Sequence, residues 1–469
     1  MAKKDINMTE GPMLGKLILY TLPLMLSGIL QNLYNAADVA VVGNFASDGE
    51  KALSAVGSTG ALTNMIVGLF LGLSVGSCVV LSQYLGAKEE KNASEVVHTS
   101  MLSGLVIGIF LSIVGILLAE PLLRLMDTPE NVIDWSALYM RIYFIGLPAS
   151  MLYNFGSAVL RAKGDTRFPL IVLIVSGAVN VTLNLITVIG LHLDVAGVAI
   201  ATVSSQVVSA VMVIIHLCRF DDCCKLRFKK LKIHKDKFLR IVRVGLPAGL
   251  QSVLFSLSNV MIQSSVNSLQ NAGVEGAMAG NTAAANIDGF IYIAQNSVYH
   301  AALAFTGQNV GAGNMKRVKK VCVLSVALVT VIGLTIGSIV FFFAEPLLTI
   351  YAPGAEKAMV REQGLLRLHI TALCYFMCGI MEVFTGMLRG MGSSVTPMII
   401  SLLGACGFRI FWILVMFPIP YFFNMKWLYI SYPISWVLTF CAQGIAYIIV
   451  RRRLEKRMQR SLNPAAQTD

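Results

Sequence analysis

A polar stripe near the N-terminus is the part of the sequence best suited to take up and release an ion. Gln31, Tyr34, Asn35 and Asp38 are three or four residues apart, a spacing that places their side chains on one face of a helix. An acid beside amides and a phenol can hold a proton or offer oxygen ligands to a cation such as Na⁺. We therefore expect Asp38 to take part in cation coupling. A buried hydrogen-bonded network that only holds helices together is the alternative.

Four more polar residues could complete this site. Asn180 and Asn184 lie one helical turn apart, and Asn154 and Thr202 occur in neighbouring apolar stretches. Their amide and hydroxyl groups both donate and accept hydrogen bonds, so they can follow a change in the charge of the acid. The predicted cation-coupling set is Asp38, Asn154, Asn180, Asn184 and Thr202, with Na⁺ as a possible metal ion there.

Polar residues also interrupt apolar stretches in the C-terminal half. Asp288 and Glu382 are acids in segments that could cross a membrane, where ionisable groups are costly and usually functional. Asn259 and Gln263 form a polar stripe one helical turn long. We expect a substrate cleft or a second coupling site to be lined by Gln31, Tyr34, Asn35, Asn259, Gln263, Asp288 and Glu382.

The composition indicates that a membrane surrounds these polar groups. Of the 469 residues, 56% are hydrophobic and 13% are charged, against about 25% charged in soluble domains. About 20 apolar residues suffice to cross a bilayer. We predict an all-α polytopic membrane protein with twelve transmembrane helices, near residues 16–42, 53–83, 98–119, 135–160, 168–190, 195–218, 241–268, 277–307, 321–343, 365–388, 395–418 and 427–450.

An internal duplication divides these twelve spans into two lobes. The sequence AEPLL occurs at 119–123 and 344–348, and Leu22-Pro23 is repeated as Leu246-Pro247, so the offset is close to 225 residues. Six spans per copy bring both copies into the membrane in the same direction. This requires a pseudo-twofold axis along the membrane normal and favours a substrate cleft between the lobes. Pro23 and Pro247 are expected helix hinges, with a fixed kink as the alternative.

The duplication also suggests a position for Glu382. It precedes Arg389 by seven residues, as Asn154 precedes Arg161, so Glu382 and Asn154 occupy equivalent places in the two copies. This equivalence places Glu382 near the expected cleft. An ion pair with Arg409 is the alternative.

The distribution of basic residues predicts domain boundaries and orientation. The predicted parts are an N-terminal lobe (1–218), a basic linker (219–240), a C-terminal lobe (241–450) and a basic tail (451–469). Most of the 37 Lys and Arg residues fall in alternate loops and at the chain ends, which predicts cytoplasmic termini in the cell membrane. The net charge of +12 therefore requires no nucleic acid. The linker lies either on the inner leaflet or free in solvent.

Several motifs together resemble the multidrug and toxic compound extrusion (MATE) family, from about Met13 to Arg451. They are Leu22-Pro23 followed by Asp38, Gln83-Tyr-Leu-Gly-Ala, Arg161-Ala-Lys-Gly-Asp-Thr-Arg, and Gly197-Val-Ala-Ile-Ala-Thr202 followed by Gln206. The resemblance implies efflux of amphipathic, often cationic drugs in exchange for H⁺ or Na⁺. It assigns ion coupling to Asp38 and bending to Pro23. Family members often have Asp where this chain has Asn184, so the resemblance leaves the coupling ion open.

These observations predict a secondary antiporter that works by alternating access as a monomer. No cofactor besides the coupling ion is expected, and the partners are small organic cations or amphipathic drugs and the lipid bilayer. An enzyme is disfavoured because no HExxH, GxSxG or comparable motif is present. The alternative function is a flippase for a lipid-linked precursor. A flippase for anionic head groups should carry several basic residues in its cleft.

Overall fold

Helices make up all the regular secondary structure in the ranges that this computed structural model describes, residues 5–126, 128–352, 354 and 357–462. The first seven helices are α1 (Met13–Phe45), α2 (Gly49–Gly86), α3 (Glu90–Leu125), α4 (Glu130–Ile145), α5 (Leu147–Lys163), α6 (Arg167–Asn184) and α7 (Asp194–Cys218). The others are α8 (Lys235–Asn271), α9 (Ala277–Gly311), α10 (Met315–Phe342), α11 (Ala344–Tyr351), α12 (Ala358–Thr371), α13 (Tyr375–Gly390), α14 (Val395–Ser401), α15 (Phe408–Phe411) and α16 (Met425–Leu462).

The all-α polytopic architecture is confirmed. Within the described ranges, nine helices are long and apolar enough to cross a membrane, and the number is eleven if each of two bent pairs forms one span. The bent pairs are α4 with α5, at 47°, and α12 with α13, at 53°. The remaining expected span is α9, 35 residues long, which packs against α10, α12 and α13. Because its neighbours cover it, α9 tolerates polar residues that a lipid-facing helix would not.

The chain folds as two compact units. The first comprises Met1–Asn7 and Leu22–Gly249, and the second comprises Met8–Thr21 and Leu250–Asp469. The boundary therefore divides α1 just before Pro23 and α8 just after Pro247. Residues 463–469 of the predicted tail lie outside the described residues, whereas 451–462 continue α16 as helix.

Glycines allow the first part of α8 to cross α2 with the two backbones in contact, inside the first unit. Gly72 and Gly76 on α2 face Gly245 and Gly249 on α8. A Cβ atom at Gly72 would lie 2.7 Å from the carbonyl oxygen of Gly245, and one at Gly249 would overlap the carbonyl oxygen of Leu69. Small residues of this kind let membrane helices approach closely. The two glycines of α8 lie on either side of Pro247 in the sequence.

Candidate functional site

Three of the predicted coupling residues meet inside the first unit. Asp38 lies on α1, and Asn184 is the last residue of α6. Asn184 Nδ2 donates hydrogen bonds to Asp38 Oδ1 and, at 3.3 Å, to Asn180 Oδ1. Asn184 is fully buried, Asn180 is almost so, and Asp38 is partly buried. The helical spacing of the two asparagines thus brings both amides to the same carboxylate.

A change of helix type positions this end of α6. A π-helical segment, Leu185–Gly190, begins directly after Asn184. Segments of this kind are rare and often occur at functional sites, because one wide turn changes the direction of the following side chains. Within it, Thr187 Oγ1 hydrogen-bonds to the carbonyl oxygen of Gly197 on α7 at 3.0 Å. The irregular turn therefore joins the Asn184 end of α6 to the start of α7.

Two buried oxygens beside Asp38 are available to a ligand. Thr202 faces the Asp38 carboxyl group. Asn184 Oδ1 and Thr202 Oγ1 are two of several buried side-chain atoms that have no hydrogen-bond partner of good geometry among the described residues. Rotation of the Asn184 amide by 180° exchanges its nitrogen and oxygen. In one orientation the Asn184 amide N–H donates to an ionised Asp38. In the other, the amide oxygen can accept a hydrogen bond from a protonated Asp38 or bind a cation.

The other predicted residues of the first unit have different surroundings. Asn154 Nδ2 donates to the carbonyl oxygen of Ser150 in its own helix, at 2.8 Å. The ring of Tyr34 packs directly on Gly177 of α6, where a Cβ atom would overlap it. Gln31 and Asn35, on the same stripe as Tyr34, are exposed. The stripe therefore runs from an exposed part at Gln31 to the half-buried Asp38.

Asp288 belongs to a buried ion pair in the second unit. Arg367 on α12 donates from Nε to Asp288 Oδ2 at 3.0 Å and from Nη1 to Asn281 Oδ1 at 2.6 Å. Thr371 Oγ1 lies 3.3 Å from both oxygens of Asp288. Asp288 is 1% exposed and Arg367 is 7% exposed. The charge of Asp288 is thus compensated by a permanent cation.

Amides extend this network to α8. Asn281 Nδ2 donates to Gln263 Oε1 at 2.8 Å, and Gln263 Nε2 donates to Asn267 Oδ1 at 2.9 Å. Asn259, one turn before Gln263, is exposed. The polar stripe of α8 therefore divides into a bonded part and an exposed part.

Glu382 is buried on α13, two helical turns before Arg389, which is also buried. Arg389 donates to the hydroxyl of Tyr299 at 2.6 Å and to Gln251 Oε1 at 2.8 Å. Arg409 has other contacts: its Nε donates to Ser435 Oγ at 3.0 Å, and its guanidinium lies 4.2 Å from the ring centre of Tyr432. Arg409 is thus held by Ser435 and Tyr432, and these contacts do not include Glu382.

Sequence reasoning missed the role of Arg367. Its interior position has a signal in the sequence, because it stands among Leu365, Leu366 and Leu368. Its pairing with Asp288 has no such signal, since 79 residues separate the two.

One cluster of possible metal ligands lies outside this site. The ligand atoms of Asp222, Cys223 and Cys224 lie within 4.8 Å of one another. Lys163 Nζ is 2.6 Å from Asp222 Oδ2 and 3.1 Å from Asp5 Oδ2. The ammonium group already neutralises Asp222 and opposes a second cation there.

Known proteins match both halves of the chain. The MatE family model matches residues 23–186 and again residues 247–415, so its two matches begin at Pro23 and Pro247. "Probable multidrug resistance protein YoeA" of Bacillus subtilis (strain 168) is 27% identical over 402 residues, 84% of each chain. The "FAD transporter" of Shewanella oneidensis is 24% identical over 419 residues, 87% of this chain and 88% of that one.

Solved structures agree with these sequence matches. The crystal structure of MATE in complex with MaL6 superposes with a TM-score of 0.87 at 20% identity, covering 98% of this chain and 100% of that one. At this identity the likeness establishes the fold, while the family model covers most of both sequence repeats. The chain belongs to the MatE family of multidrug efflux transporters.

Proposed function

We propose that this transporter is a secondary antiporter that exports amphipathic organic cations in exchange for H⁺ or Na⁺. The observation that carries the proposal is the contact of Asp38 with Asn184, beside the unpartnered oxygens of Asn184 and Thr202. The carboxyl group has neutral partners that can both donate and accept, so it can gain and lose a charge without leaving an opposite charge unpaired. We further propose that the protein works as a monomer in the cell membrane, with both termini cytoplasmic.

The proposed cycle depends on a different arrangement around Asp38 in each charge state. An ionised Asp38 accepts a hydrogen bond from Asn184, and an organic cation enters from the cytoplasm. After the transporter opens outward, a proton or Na⁺ binds Asp38, the Asn184 amide rotates, and the drug leaves. The ion drives export only if it binds one conformation more tightly than the other. We propose Pro23 and Pro247 as the hinges of α1 and α8.

The ligand set favours H⁺ as the coupling ion. Na⁺ is a hard cation, and a single carboxylate with one or two neutral oxygens is a sparse set for it. A proton needs only one acceptor. Asn184 stands where a second carboxylate would supply the missing charge, so this residue is central to ion choice.

Acidic groups favour a cationic drug. Asp38 supplies negative charge on α1, and Tyr34, one turn away, offers an aromatic face that attracts cations. In the second unit, Arg367 and Arg389 are held by Asp288, Asn281, Tyr299 and Gln251. Because one relative is named an FAD transporter, FAD serves as a second cargo in the assay below.

Transport in proteoliposomes tests the proposal. Ethidium and FAD are assayed with an imposed pH gradient and, separately, an imposed Na⁺ gradient. We expect the pH gradient to drive ethidium movement in the wild type and Asp38→Asn to abolish it. Asp134→Asn, which removes an exposed carboxylate from α4, is the matched control and should transport normally.

Two outcomes contradict the proposal. Undiminished ethidium transport by a well-folded Asp38→Asn protein would exclude Asp38 from coupling. Failure of both gradients to drive either cargo would instead favour a flippase for a lipid-linked precursor.

A further inference from the structure

The chain between α7 and α8 forms a loop whose backbone is attached to α3. We call residues 227–234 the linker loop; it contains one 3-10 turn, Phe228–Lys230. The backbone N–H of Arg227 donates to His98 Nε2, and that of His234 donates to Thr99 Oγ1, each at 3.1 Å. Both ends of the loop are therefore held against two adjacent residues of α3.

The two attachment residues lie more than two helical turns after the N-terminal end of α3, and the linker loop therefore lies beside the body of this helix. His98 and Thr99 lie eight and nine residues after Glu90, where α3 begins, which corresponds to about 12–14 Å along the helix axis. No Asp, Glu, Lys or Arg occurs in α3 between Glu95 and Glu120. The loop thus lies at the level where the apolar part of α3 starts, which is the depth of lipid head groups.

The exposed side chains of the linker loop combine positive charge with apolar surface. Phe228 is 65% exposed and Ile233 is 38% exposed. Arg227, Lys229, Lys230 and Lys232 are exposed around them. The acids that flank the loop in sequence are Asp222, whose carboxylate lies 2.6 Å from Lys163 Nζ, and Asp236, whose carboxylate lies 2.8 Å from Lys237 Nζ. Glu95 on α3 lies 3.6 Å from the same Lys237 ammonium group. The surface between Arg227 and Ile233 therefore carries cations and apolar groups without an acid of its own.

We propose that the linker loop binds anionic phospholipid head groups of the inner leaflet, with Phe228 inserted at the boundary with the acyl chains. Lys and Arg beside a membrane are attracted to anionic lipids, and an aromatic ring is stable at this boundary. The loop needs no folding step to bind, because α3 already fixes its backbone. Since α8 begins at Lys235, directly after the loop, bound lipid restrains the start of the helix that contains Pro247. The inference rests on the predicted orientation of the chain and not on its transported cargo.

Lipid-dependent stability of the full chain tests the charge component. The purified protein in detergent is heated with added phosphatidylglycerol or phosphatidylcholine. We expect phosphatidylglycerol to raise Tm more than phosphatidylcholine does, and Lys229→Gln with Lys230→Gln to remove at least half of that difference. Lys357→Gln with Lys426→Gln removes two exposed charges from the side of the chain predicted to face outside, and this variant should keep the difference between the two lipids. An equal response to both lipids, or an unchanged response in the Lys229/Lys230 variant, would overturn the proposal.

Fluorescence quenching tests the position of residue 228. The Phe228→Trp protein and the wild type are reconstituted in nanodiscs that contain brominated phosphatidylglycerol, and the contribution of the four native Trp residues is subtracted. We expect the added Trp to emit at short wavelength and to be quenched at least twofold. A solvated loop would give an unquenched, red-shifted Trp, and that result would exclude insertion.

Discussion

Arg367 donates a hydrogen bond from Nε to Asp288 at 3.0 Å, and both side chains lie in the interior of the second unit. Asp38 in the first unit is bonded instead to the neutral amide of Asn184. A carboxylate beside a permanent cation is held in its charged form, whereas one beside amides can change charge at lower cost. The two acids are therefore suited to different tasks, the buried Asp288 to holding helices together and the partly buried Asp38 to exchange.

Removing either partner of the Asp288–Arg367 pair should destabilise the protein. Asp288→Leu or Arg367→Met leaves one buried charge unpaired, which typically costs about 3–5 kcal/mol. The double variant should be less unstable than the two single effects added together, because no isolated charge remains. Thermal unfolding of all four proteins measures this coupling. Additive losses would show that the pair is not an energetic unit.

Asn184→Asp should increase the response to Na⁺. The second carboxylate doubles the negative charge beside the oxygens of Asp38 and Thr202, so we expect Na⁺ to bind at least about tenfold more tightly, equivalent to about 1.4 kcal/mol. Ethidium transport driven by a Na⁺ gradient measures the effect, and Asn184→Ala is the control that removes the amide without adding charge. If Asn184→Asp remains insensitive to Na⁺, the ligand set proposed here is wrong.

Gly249→Ala should destabilise the crossing of α2 and α8. The added methyl group would overlap the carbonyl oxygen of Leu69, so the two backbones must separate. Overpacking of this kind typically costs about 1–3 kcal/mol. Gly289→Ala is the matched control, because a Cβ atom there meets nothing within 4 Å, and it should be neutral or stabilising by up to about 1 kcal/mol. Equal Tm values for the two variants would contradict the close crossing.

Asp165 should contribute stability that is lost in acid. Burial alone would raise the pKa of Asp165, but hydrogen bonds from His216 and from the backbone N–H of Phe168 outweigh it and hold the pKa below its ordinary value. Because the pKa is lower in the folded protein, the stabilisation by Asp165 is complete above the pKa of the unfolded chain. It disappears as the pH falls through the pKa of the folded protein. Asp165→Asn should therefore lower Tm at pH 7, by about 1 °C for each kcal/mol lost in a chain of this length.

The pH dependence provides the check for Asp165. The Tm difference between the wild type and Asp165→Asn should shrink as pH falls below about 4, where the unfolded carboxyl group becomes protonated. Asp134→Asn should have the same Tm as the wild type both at pH 7 and below about pH 4. A difference for Asp165→Asn that grows in acid would contradict the lowered pKa.

The sequence alone determined the membrane class, the helical architecture and the duplication. Apolar runs long enough to cross a bilayer can only be helical there if their backbone groups are to be satisfied, so composition constrains the fold directly. Pairs such as Leu22-Pro23 and Leu246-Pro247 revealed the repeat, which the two family matches confirm. That Asn180 and Asn184 point the same way was also accessible, because residues one turn apart share a helical face. Their meeting with Asp38 joins two helices, and the family resemblance implied it.

Only the tertiary structure decided the partners of the buried charges. The assignment of Arg367 to Asp288, and of Arg409 to Ser435 and Tyr432, joins residues on different helices. Periodicity shows which face of a helix is polar, but it does not show which other helix covers that face. That choice depends on packing between segments far apart in sequence, as in the second unit, where α12 covers Asp288 on α9 and brings Arg367 to it.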